Sequence, residues 1–245
     1  VLSPYHRKLG PDPASEGAAT IGGVVANNSS GMTCGTELNS YETIDSLTVV
    51  LPSGTTIETG AADADHHLHS RENAISTGLL DLRARIMSRP DLMGHIRRQF
   101  SLKNTMGYGL NSFLDHATPA KILEHLLIGS EGTLGFVGSA TFRTVEKKKH
   151  ASTALLVFSS VFDAMSSLEA LKGTGASAIE LMDAQSLTVG KVIPGVPGLV
   201  RDLDVFGQAA LLVEHEGSTS DELAERVRDF QHVLRDLPID SKIDS

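Results

Sequence analysis

The spacing of hydrophobic and polar residues predicts short strands and amphipathic helices along most of the chain. Thr48–Leu51 and Thr55–Glu58 are β-type runs on either side of Pro52-Ser53-Gly54, which is typical of a hairpin. Apolar residues recur at helical spacing from His67 to Arg89, and Pro90 begins a second helical stretch that reaches Phe100. The pattern therefore predicts a hairpin followed by a helical block.

One further helix and one strand are predicted before residue 146. Pro119–Leu127 is predicted to be a helix capped by Thr118, and Gly135–Val145 a strand. Residues 1–36 have few periodic positions, so we expect loops and turns there.

From residue 153 onward, strands alternate with helices of about a dozen residues, which favours an α/β or split-βαβ sandwich. The predicted elements are, in chain order, Thr153–Phe158, Val161–Lys172, Ala176–Met182, Asp183–Val192, Ala209–Glu216 and Thr219–Leu234. The basic run from Lys147 to His150 marks the boundary between the two patterns and is interpreted as a solvated linker.

Composition narrows the classes of protein. The chain has 245 residues, 40% hydrophobic and 21% charged, which is ordinary for a soluble globular protein. A net charge of −9 argues against a general nucleic-acid binder. No apolar stretch reaches the roughly 18 residues that a transmembrane helix needs, and no signal peptide is evident. Cys34 is the single cysteine, which excludes an intrachain disulfide and is compatible with a reducing compartment.

Two glycine-rich stretches about a hundred residues apart carry the candidate chemistry. We call residues 18–31 the first glycine segment and residues 128–135 the second glycine segment. Glycine lets the backbone approach a ligand closely, and the exposed N–H groups become donors to anionic or carbonyl oxygens. Each segment alone also fits a structural tight turn. Together they indicate a long cofactor held at several points.

Five motifs in a fixed order give the chain a family resemblance. They are Pro11-Asp12-Pro13-Ala14-Ser15, Gly22-Gly23 with Asn28 and Gly31, Cys34-Gly35-Thr36, Val49-Val50-Leu51-Pro52-Ser53-Gly54, and Gly129-Ser130-Glu131-Gly132-Thr133-Leu134-Gly135. In this order they resemble FAD-linked oxidases of the vanillyl-alcohol oxidase/PCMH type, and most of all the D-2-hydroxyacid dehydrogenase branch. Lys103–Leu110 fits that branch as well. The resemblance covers residues 9–58 and 102–183 well and the remainder loosely.

The resemblance implies an α+β fold in two parts. Residues 1–146 would be the second part of a PCMH-type FAD-binding domain, with a helical insertion at about 60–101. Residues 151–245 would form a partial α/β sandwich of the ferredoxin-like kind, the substrate or cap domain. In the family a pyrophosphate-binding subdomain precedes this point, so we expect the chain to be a fragment.

The activity implied is oxidation of a D-2-hydroxy acid, such as D-lactate, glycolate or D-2-hydroxyglutarate, to the 2-oxo acid. The Cα hydrogen would pass as hydride to flavin N5, while a protein base takes the hydroxyl proton. The base and the carboxylate clamp fall outside the matching motifs, and no metal site can be carried over. The expected partners are the small-molecule substrate and an electron acceptor, with further domains or a second copy of the chain left open. We expect a cytoplasmic protein, with peripheral membrane attachment of the full-length protein also open.

The same resemblance assigns FAD contacts to residues of the motifs. They are Pro11, Asp12, Pro13, Ser15, Gly22, Gly23, Ala26, Asn27, Asn28, Gly31, Gly35, Thr36, Gly129, Ser130, Glu131, Gly132 and Gly135. N–H groups of Gly22 and Gly23 would face the pyrophosphate or the polar edge of the ring. Asn27 or Asn28 would face the ribityl chain or a ring carbonyl, and Glu131 would cap its own loop.

Two alternatives stay open at this point. Lys103, Asn104 and Tyr108 either contact the cofactor or belong to an ordinary loop with a satisfied tyrosine. The chain as a whole is either part of a flavoenzyme or a non-catalytic scaffold that holds no FAD by itself.

Other motifs favour structural roles. Gly173-Thr174-Gly175-Ala176-Ser177-Ala178 matches a dinucleotide-binding pattern, but a helix precedes it and a strand follows, which indicates a helix end and a turn. His66, His67 and His69 are expected on a solvated helix start rather than around a metal. His215 is expected on the apolar face of its strand, and Cys34 is expected to be a buried structural thiol.

Overall fold

The computed structural model describes residues 1–196 and 198–244. The chain divides into two compact units, Val1–Val145 and Glu146–Ser245. Pro197 and Ser245, which the predicted substrate domain includes, lie outside the described residues.

The first unit combines helices with a small antiparallel sheet. Its helices are α1 (Ile21–Asn27), α2 (Ser40–Thr43), α3 (Ala64–Arg71), α4 (Asn73–Met87), α5 (Pro90–Phe100), α6 (Ser112–Asp115) and α7 (Pro119–Leu127). A 3-10 turn, Ser3–Tyr5, precedes the strands β1 (Arg7–Lys8), β2 (Ile44–Val50), β3 (Thr56–Glu58), β4 (Phe136–Phe142) and β5 (Val145–Glu146), the last at the unit boundary. Helices α3 to α5 occupy the region for which a helical insertion was predicted.

Strand β2 is the centre of the sheet, whose strand order is β3-β2-β4. Leu47 and Val49 are buried on one face of β2, as alternation along a half-buried strand requires. Val49 pairs with Ile57 on β3 and with Val137 on β4. The predicted hairpin is therefore confirmed, and its buried apolar residues form one side of the hydrophobic core.

Helix α7 fills the core above this sheet, and eight of its nine residues are buried. Even Glu124 is inaccessible to solvent. Its carboxylate accepts hydrogen bonds from Thr59 Oγ1 and from Lys121 Nζ, the latter at 2.9 Å, so the buried charge is compensated. This helix leads directly into the second glycine segment and gives it a rigid base.

The second unit is an antiparallel sheet covered by helices on both faces. Its elements are β6 (His150–Phe158), α8 (Val161–Ser166), α9 (Leu168–Lys172), β7 (Ala178–Met182), α10 (Ala184–Gly190), α11 (Gly198–Arg201), β8 (Ala209–Gly217), α12 (Ser220–Leu234) and β9 (Ile239–Asp244). The strand order is β7-β8-β6-β9, which is the ferredoxin-like arrangement with an added helix pair before β8. Leu156 and Leu211 pack under α8, α9 and α12, whereas Leu155 and Val157 pack under α10. The predicted α+β fold class is confirmed.

Several predicted elements differ in detail from the structure. The helix predicted from His67 to Arg89 is interrupted at Glu72, where ψ is 54°. The helix predicted over Val161–Lys172 is interrupted at Ser167, whose hydroxyl donates to the carbonyl of Asp163. The predicted strand Gly135–Val145 is divided into β4 and β5.

Thr118 occupies the predicted N-cap position of α7, but its side chain makes no capping hydrogen bond. The single-turn helices α2, α6 and α11 and the strand β9 were not predicted. Elements of one turn are too short for hydrophobic periodicity to reveal.

Candidate functional site

The first glycine segment contains a helix, so the prediction of loops throughout residues 1–36 is wrong. Thr20 caps α1 by accepting the N–H of Gly23 at 3.1 Å. Val24 and Val25 are buried, and Asn28 ends the helix in the left-handed conformation with φ of 52°. A good cap and two buried valines outweigh the low helix propensity of the paired glycines.

This helix changes which backbone groups a ligand can use. The N–H of Gly23 already donates to the hydroxyl of Thr20, so the predicted contact of Gly23 with a cofactor, which stays a prediction, would compete with this cap. Gly22 lies against β4, where a Cβ atom would be 3.4 Å from the carbonyl oxygen of Val137. Gly22 therefore faces the sheet at ordinary contact distance, and Gly23 faces the capping hydroxyl of Thr20.

The second glycine segment is a loop with left-handed backbone. Gly129 and Gly132 have φ of +80° and +75°, and Glu131 between them has φ of 52°. Only glycine adopts such angles without strain, which explains two of the glycines in this segment. Gly135 sits at the end of the loop, where a Cβ would lie 2.9 Å from a methyl carbon of Val49.

The two glycine segments contact each other through hydrogen bonds. The N–H of Gly129 donates to the carbonyl of Val25 at 3.1 Å, and the N–H of Glu131 donates to that of Ala26 at 2.8 Å. The side chain of Asn27 donates to a carboxylate oxygen of Glu131 at 2.7 Å. Glu131 thus binds across the two segments instead of capping its own loop as predicted. The contact is made by the C-terminal half of α1, not by Gly22.

A third stretch, residues 103–109, touches both segments, and we call it the linking loop. Lys103 Nζ donates to the carbonyl of Gly31 at 2.6 Å. The hydroxyl of Tyr108 is 2.8 Å from that of Thr133. Asn104 accepts the N–H of Met106 at 3.2 Å and closes a local turn. The family resemblance associated this loop with the glycine segments. It did not predict that the loop contacts both of them.

Asp12 fixes the end of the first glycine segment. Its carboxylate accepts from the hydroxyl of Thr33, and a Cβ atom on Gly31 would overlap its main-chain carbonyl. Pro11 and Pro13 line a groove of about 260 Å³ beside α1. The structure therefore brings this proline motif against the first glycine segment.

Other residues assigned to cofactor contact lie around these segments or apart from them. Ser130 is buried, and its carbonyl accepts the hydroxyl of Thr133. Thr36 lines the crevice described next, whereas Ser15 and Gly35 are exposed and, among the residues that the structure describes, form no hydrogen bond with the second glycine segment.

A narrow polar crevice of about 40 Å³ opens where α1 meets the linking loop. Its lining includes Asn28, Thr36, Asn104, Gly107 and Asn111. Asn28 is only 9% exposed, and within the part of the chain that the structure describes the buried side-chain oxygens of Asn28 and Asn111 have no hydrogen-bond partner. Buried acceptors normally find a donor, so the crevice has the chemistry of a site completed by a ligand or by water.

Cys34 is 1% exposed and lies beside the same segment, which agrees with the expected buried thiol. Burial raises the pKa of its thiol, whereas the charge of Lys103 opposes that rise. The thiol is therefore held in its unreactive protonated form.

Sequence reasoning missed a cluster of aromatic and imidazole rings next to the crevice. We call Tyr41, Asp115, His116 and His125 the histidine cluster. The His116 and His125 ring centroids are 3.9 Å apart, and the Tyr41 ring meets His125 edge-on at 4.6 Å. The Tyr41 hydroxyl donates to Asp115 at 2.8 Å. These residues come from α2, α6, α7 and the residue after α6, so no local sequence pattern connects them.

The histidine cluster lines a groove of about 600 Å³, and the pKa values of its three ring side chains, Tyr41, His116 and His125, are shifted. Burial lowers the pKa of His116 to about 4, and the neighbouring imidazole of His125 adds to that shift. Burial also lowers the pKa of His125, against the effect of its hydrogen bond to the carbonyl of Lys121. Burial raises the pKa of Tyr41, and the bond to Asp115 raises it further. Both imidazoles are therefore neutral at pH 7.

The other motifs take structural positions. Gly173 ends α9 and is followed by a turn and strand β7, as predicted. His66, His67 and His69 are exposed on α3. His215 is buried, 2.9 Å from the hydroxyl of Thr174, which confirms the expected core histidine.

Two family models match the chain. Residues 1–60 match the FAD binding domain, and residues 147–242 match the C-terminal domain of FAD linked oxidases. These matches confirm the predicted family and identify FAD as its cofactor.

Curated relatives extend the comparison. The chain is 28% identical to D-lactate dehydrogenase [cytochrome] 1, mitochondrial, of Saccharomyces cerevisiae, over 74% of this chain and 22% of that protein. It is 24% identical to D-lactate dehydrogenase of Archaeoglobus fulgidus, over 89% of this chain and 37% of that protein. The chain thus spans well under half the length of either relative.

Solved structures share the fold. Two crystal forms of alkyldihydroxyacetonephosphate synthase superpose with TM-scores of 0.58 and 0.54 at 17% and 18% identity. Each superposition covers 99% of this chain, and 37% and 36% of the respective synthase chains. At this identity the likeness concerns the fold alone.

Among residues 1–196 and 198–244, no helix combines the length and apolar character needed to cross a bilayer.

Proposed function

We propose that this chain, which belongs to the FAD-linked oxidases, is part of an FAD-dependent dehydrogenase that oxidises a D-2-hydroxy acid to the 2-oxo acid. The observation that carries the proposal is the hydrogen-bonded junction of the two glycine segments beside Asn28, whose buried amide oxygen has no partner. Two relatives named D-lactate dehydrogenase support the substrate class.

The residues at the junction fit the polar parts of FAD. The unpartnered oxygen of Asn28 is an acceptor, and the N3–H of an isoalloxazine ring or a ribityl hydroxyl is the donor it lacks. The side chain of Asn27 already donates a hydrogen bond to Glu131 and so orients the loop. Asn28 is therefore the residue proposed to contact the cofactor. Bound FAD supplies the hydride acceptor, and the chain supplies binding and orientation.

Charge near the first glycine segment comes from lysines outside it. No lysine or arginine occurs between residues 9 and 70. Lys103 Nζ reaches the carbonyl of Gly31, and Lys8 Nζ lies 3.3 Å from the hydroxyl of Thr33. We propose that these two ammonium groups offset the pyrophosphate charge, and their positions support a cofactor role for Lys103 over an ordinary loop.

The remaining assignments form part of the same proposal. FAD contacts are proposed for Pro11, Asp12, Pro13, Ser15, Gly22, Ala26, Asn27, Asn28, Gly31, Gly35, Thr36, Gly129, Ser130, Glu131, Gly132 and Gly135. Residues 1–146 would act as the FAD-binding domain and residues 151–245 as the substrate domain. The proposed setting is the cytoplasm, with an electron acceptor as the second partner.

Titration of the purified chain with FAD tests the cofactor step. Quenching of flavin fluorescence should report binding, and Asn28→Gly should weaken the affinity by roughly tenfold, the worth of one hydrogen bond. Glycine tolerates the left-handed backbone of Asn28, so the variant should remain folded. Asn73→Ala, an exposed asparagine at the start of α4, serves as the control and should bind FAD normally.

The second candidate is a scaffold that does not hold FAD by itself. It predicts no quenching at any FAD concentration. Equal affinity in Asn28→Gly and the unaltered chain would also contradict the assigned site.

Substrate class is tested on the full-length protein. Anaerobic addition of D-lactate, glycolate or D-2-hydroxyglutarate should bleach the flavin absorbance, and L-lactate should not. Bleaching by L-lactate alone, or by none of these acids, would contradict the proposed substrate class.

A further inference from the structure

The stacked imidazoles of the histidine cluster lie where three elements converge. His116 follows α6, His125 is in the last turn of α7, and Tyr41 is on α2. Two neutral rings at 3.9 Å pack favourably, whereas a proton on either ring would place a charge between buried aromatic surfaces. The Nε2 atom of His116 is itself buried without a hydrogen-bond partner. The stack is therefore stable in one protonation state only.

The linking loop joins this stack to the second glycine segment. A Cβ atom on Gly109 would lie 3.2 Å from the carbonyl oxygen of His125 and 3.5 Å from a ring carbon of Tyr41. On the other side, a Cβ on Gly129 would lie 3.0 Å from the carbonyl oxygen of Gly107. His125 also precedes Gly129 by only four residues along the chain. The linking loop therefore packs between the histidine cluster and the second glycine segment, and a displacement of α7 at His125 changes the packing of both.

Charged groups face the stack from every surrounding element. They are Glu42 on α2, Asp45 on β2, Asp115 on α6, Lys121 and Glu124 on α7, Arg143 after β4, and Arg83 on α4, which donates to the carbonyl of His116 at 2.9 Å. The carboxylates of Asp115 and Glu124 favour protonation of His116, and Lys121 opposes it. Glu124 Oε1 lies 3.5 Å from Nδ1 of His125, but the same carboxylate is bound by Thr59 and Lys121, so it compensates a proton on His125 only in part.

We propose that His116 and His125 form a positioning pair that holds the linking loop and the second glycine segment in place while both rings are neutral. Protonation of His116 separates the stack and loosens the junction at Gly129 and Glu131. The consequence for FAD rests on the proposed function, whereas the movement itself does not.

The direction of the pH effect follows from burial. The pKa of each ring lies below the ordinary value near 6.5, so the closed arrangement binds fewer protons than the open one. Its stability is complete above pH 6.5 and is lost as the pH falls towards 4, the pKa of His116. Acid should therefore release the second glycine segment.

Amide hydrogen exchange of the chain tests this directly. The N–H groups of Gly129 and Glu131, which donate to α1, should lose roughly tenfold in protection between pH 7 and pH 5 after correction for intrinsic exchange. His116→Phe keeps a ring in the stack but cannot titrate, and should reduce that loss to less than about twofold. His95→Phe, an exposed histidine on α5, is the matched control and should behave like the unaltered chain.

Constant protection in the unaltered chain, or the same loss in His116→Phe, would overturn the proposal. If His116→Phe does not fold, NMR titration of the unaltered chain decides, because the midpoint of the His116 or His125 ring signal must coincide with the loss of amide protection. If the ring signals of His116 and His125 titrate with midpoints near pH 6.5, the proposed positioning pair is contradicted. The chain contains no Trp, so the fluorescence of its three tyrosines provides a second measurement of changes around Tyr41.

FAD titration at the same pH values separates the two proposals. Affinity that falls with pH in the unaltered chain but not in His116→Phe supports both. An absence of FAD binding at pH 7 contradicts the proposed function. The exchange measurements then still test whether His116 and His125 act as a positioning pair.

Discussion

The two glycine segments have similar composition but different structures. The first carries its paired glycines in helix α1, held by a threonine cap and two buried valines. The second places Gly129 and Gly132 at positive φ in a loop. Glycine permits close packing in the first and an unusual backbone in the second. Glycine content therefore located a candidate site without indicating what each glycine does.

The difference also concerns which part of each segment meets the other. Val25 and Ala26 of the helix accept N–H groups from Gly129 and Glu131 of the loop. A helix end with exposed carbonyls requires donors, and the left-handed loop supplies them. The junction is thus built mainly from backbone groups, with one side-chain hydrogen bond from Asn27 to Glu131.

Substitution of Gly31 should have the largest effect on stability. A methyl group there overlaps the main-chain carbonyl of Asp12, so Gly31→Ala should lower the free energy of unfolding by about 3 kcal/mol or more. Urea denaturation measures it. Gly17→Ala, at a position with no atom within 4 Å of the added carbon, is the control and should change little. Equal midpoints for the two variants would contradict the tight contact.

An intermediate effect is expected in the loop, where two substitutions separate contact from backbone strain. Gly132→Ala meets no neighbour within 4 Å and should cost about 1 kcal/mol from its positive φ alone. Gly129→Ala adds a Cβ 3.0 Å from the carbonyl oxygen of Gly107 and should cost about 2–3 kcal/mol. The order of the two thermal midpoints checks this, and a reversed order would mean that the linking loop does not pack against Gly129.

The smallest effect on stability should come from the helix. Gly22→Ala adds a Cβ at ordinary contact distance from Val137 and a better helix former, so the free energy of unfolding should stay equal or rise by up to about 1 kcal/mol. In Gly23→Ala the added carbon would lie 3.1 Å from the capping oxygen of Thr20, so any gain should be smaller. Loss of more than about 1 kcal/mol in Gly22→Ala would show that α1 cannot tolerate a side chain against the sheet.

Elements with strong hydrophobic periodicity were predictable from the sequence, and the order of the motifs indicated the family. The hairpin around Pro52, helix α7 and the alternating elements after residue 153 all follow from local patterns of apolar residues. The sequence predicted loops where α1 forms, because Gly22-Gly23 disfavours a helix and only the tertiary burial of Val24 and Val25 compensates. It also missed the break at Glu72 within the insertion.

The chain by itself determined the fold class, the two glycine segments and the family, because periodicity and motif order are properties of neighbouring residues. The tertiary structure alone decided that Glu131 binds Asn27, that the linking loop touches both segments, and that His116 stacks on His125. These contacts join residues 9 to 104 positions apart, and their energies depend on burial and exclusion of water, which no local pattern records.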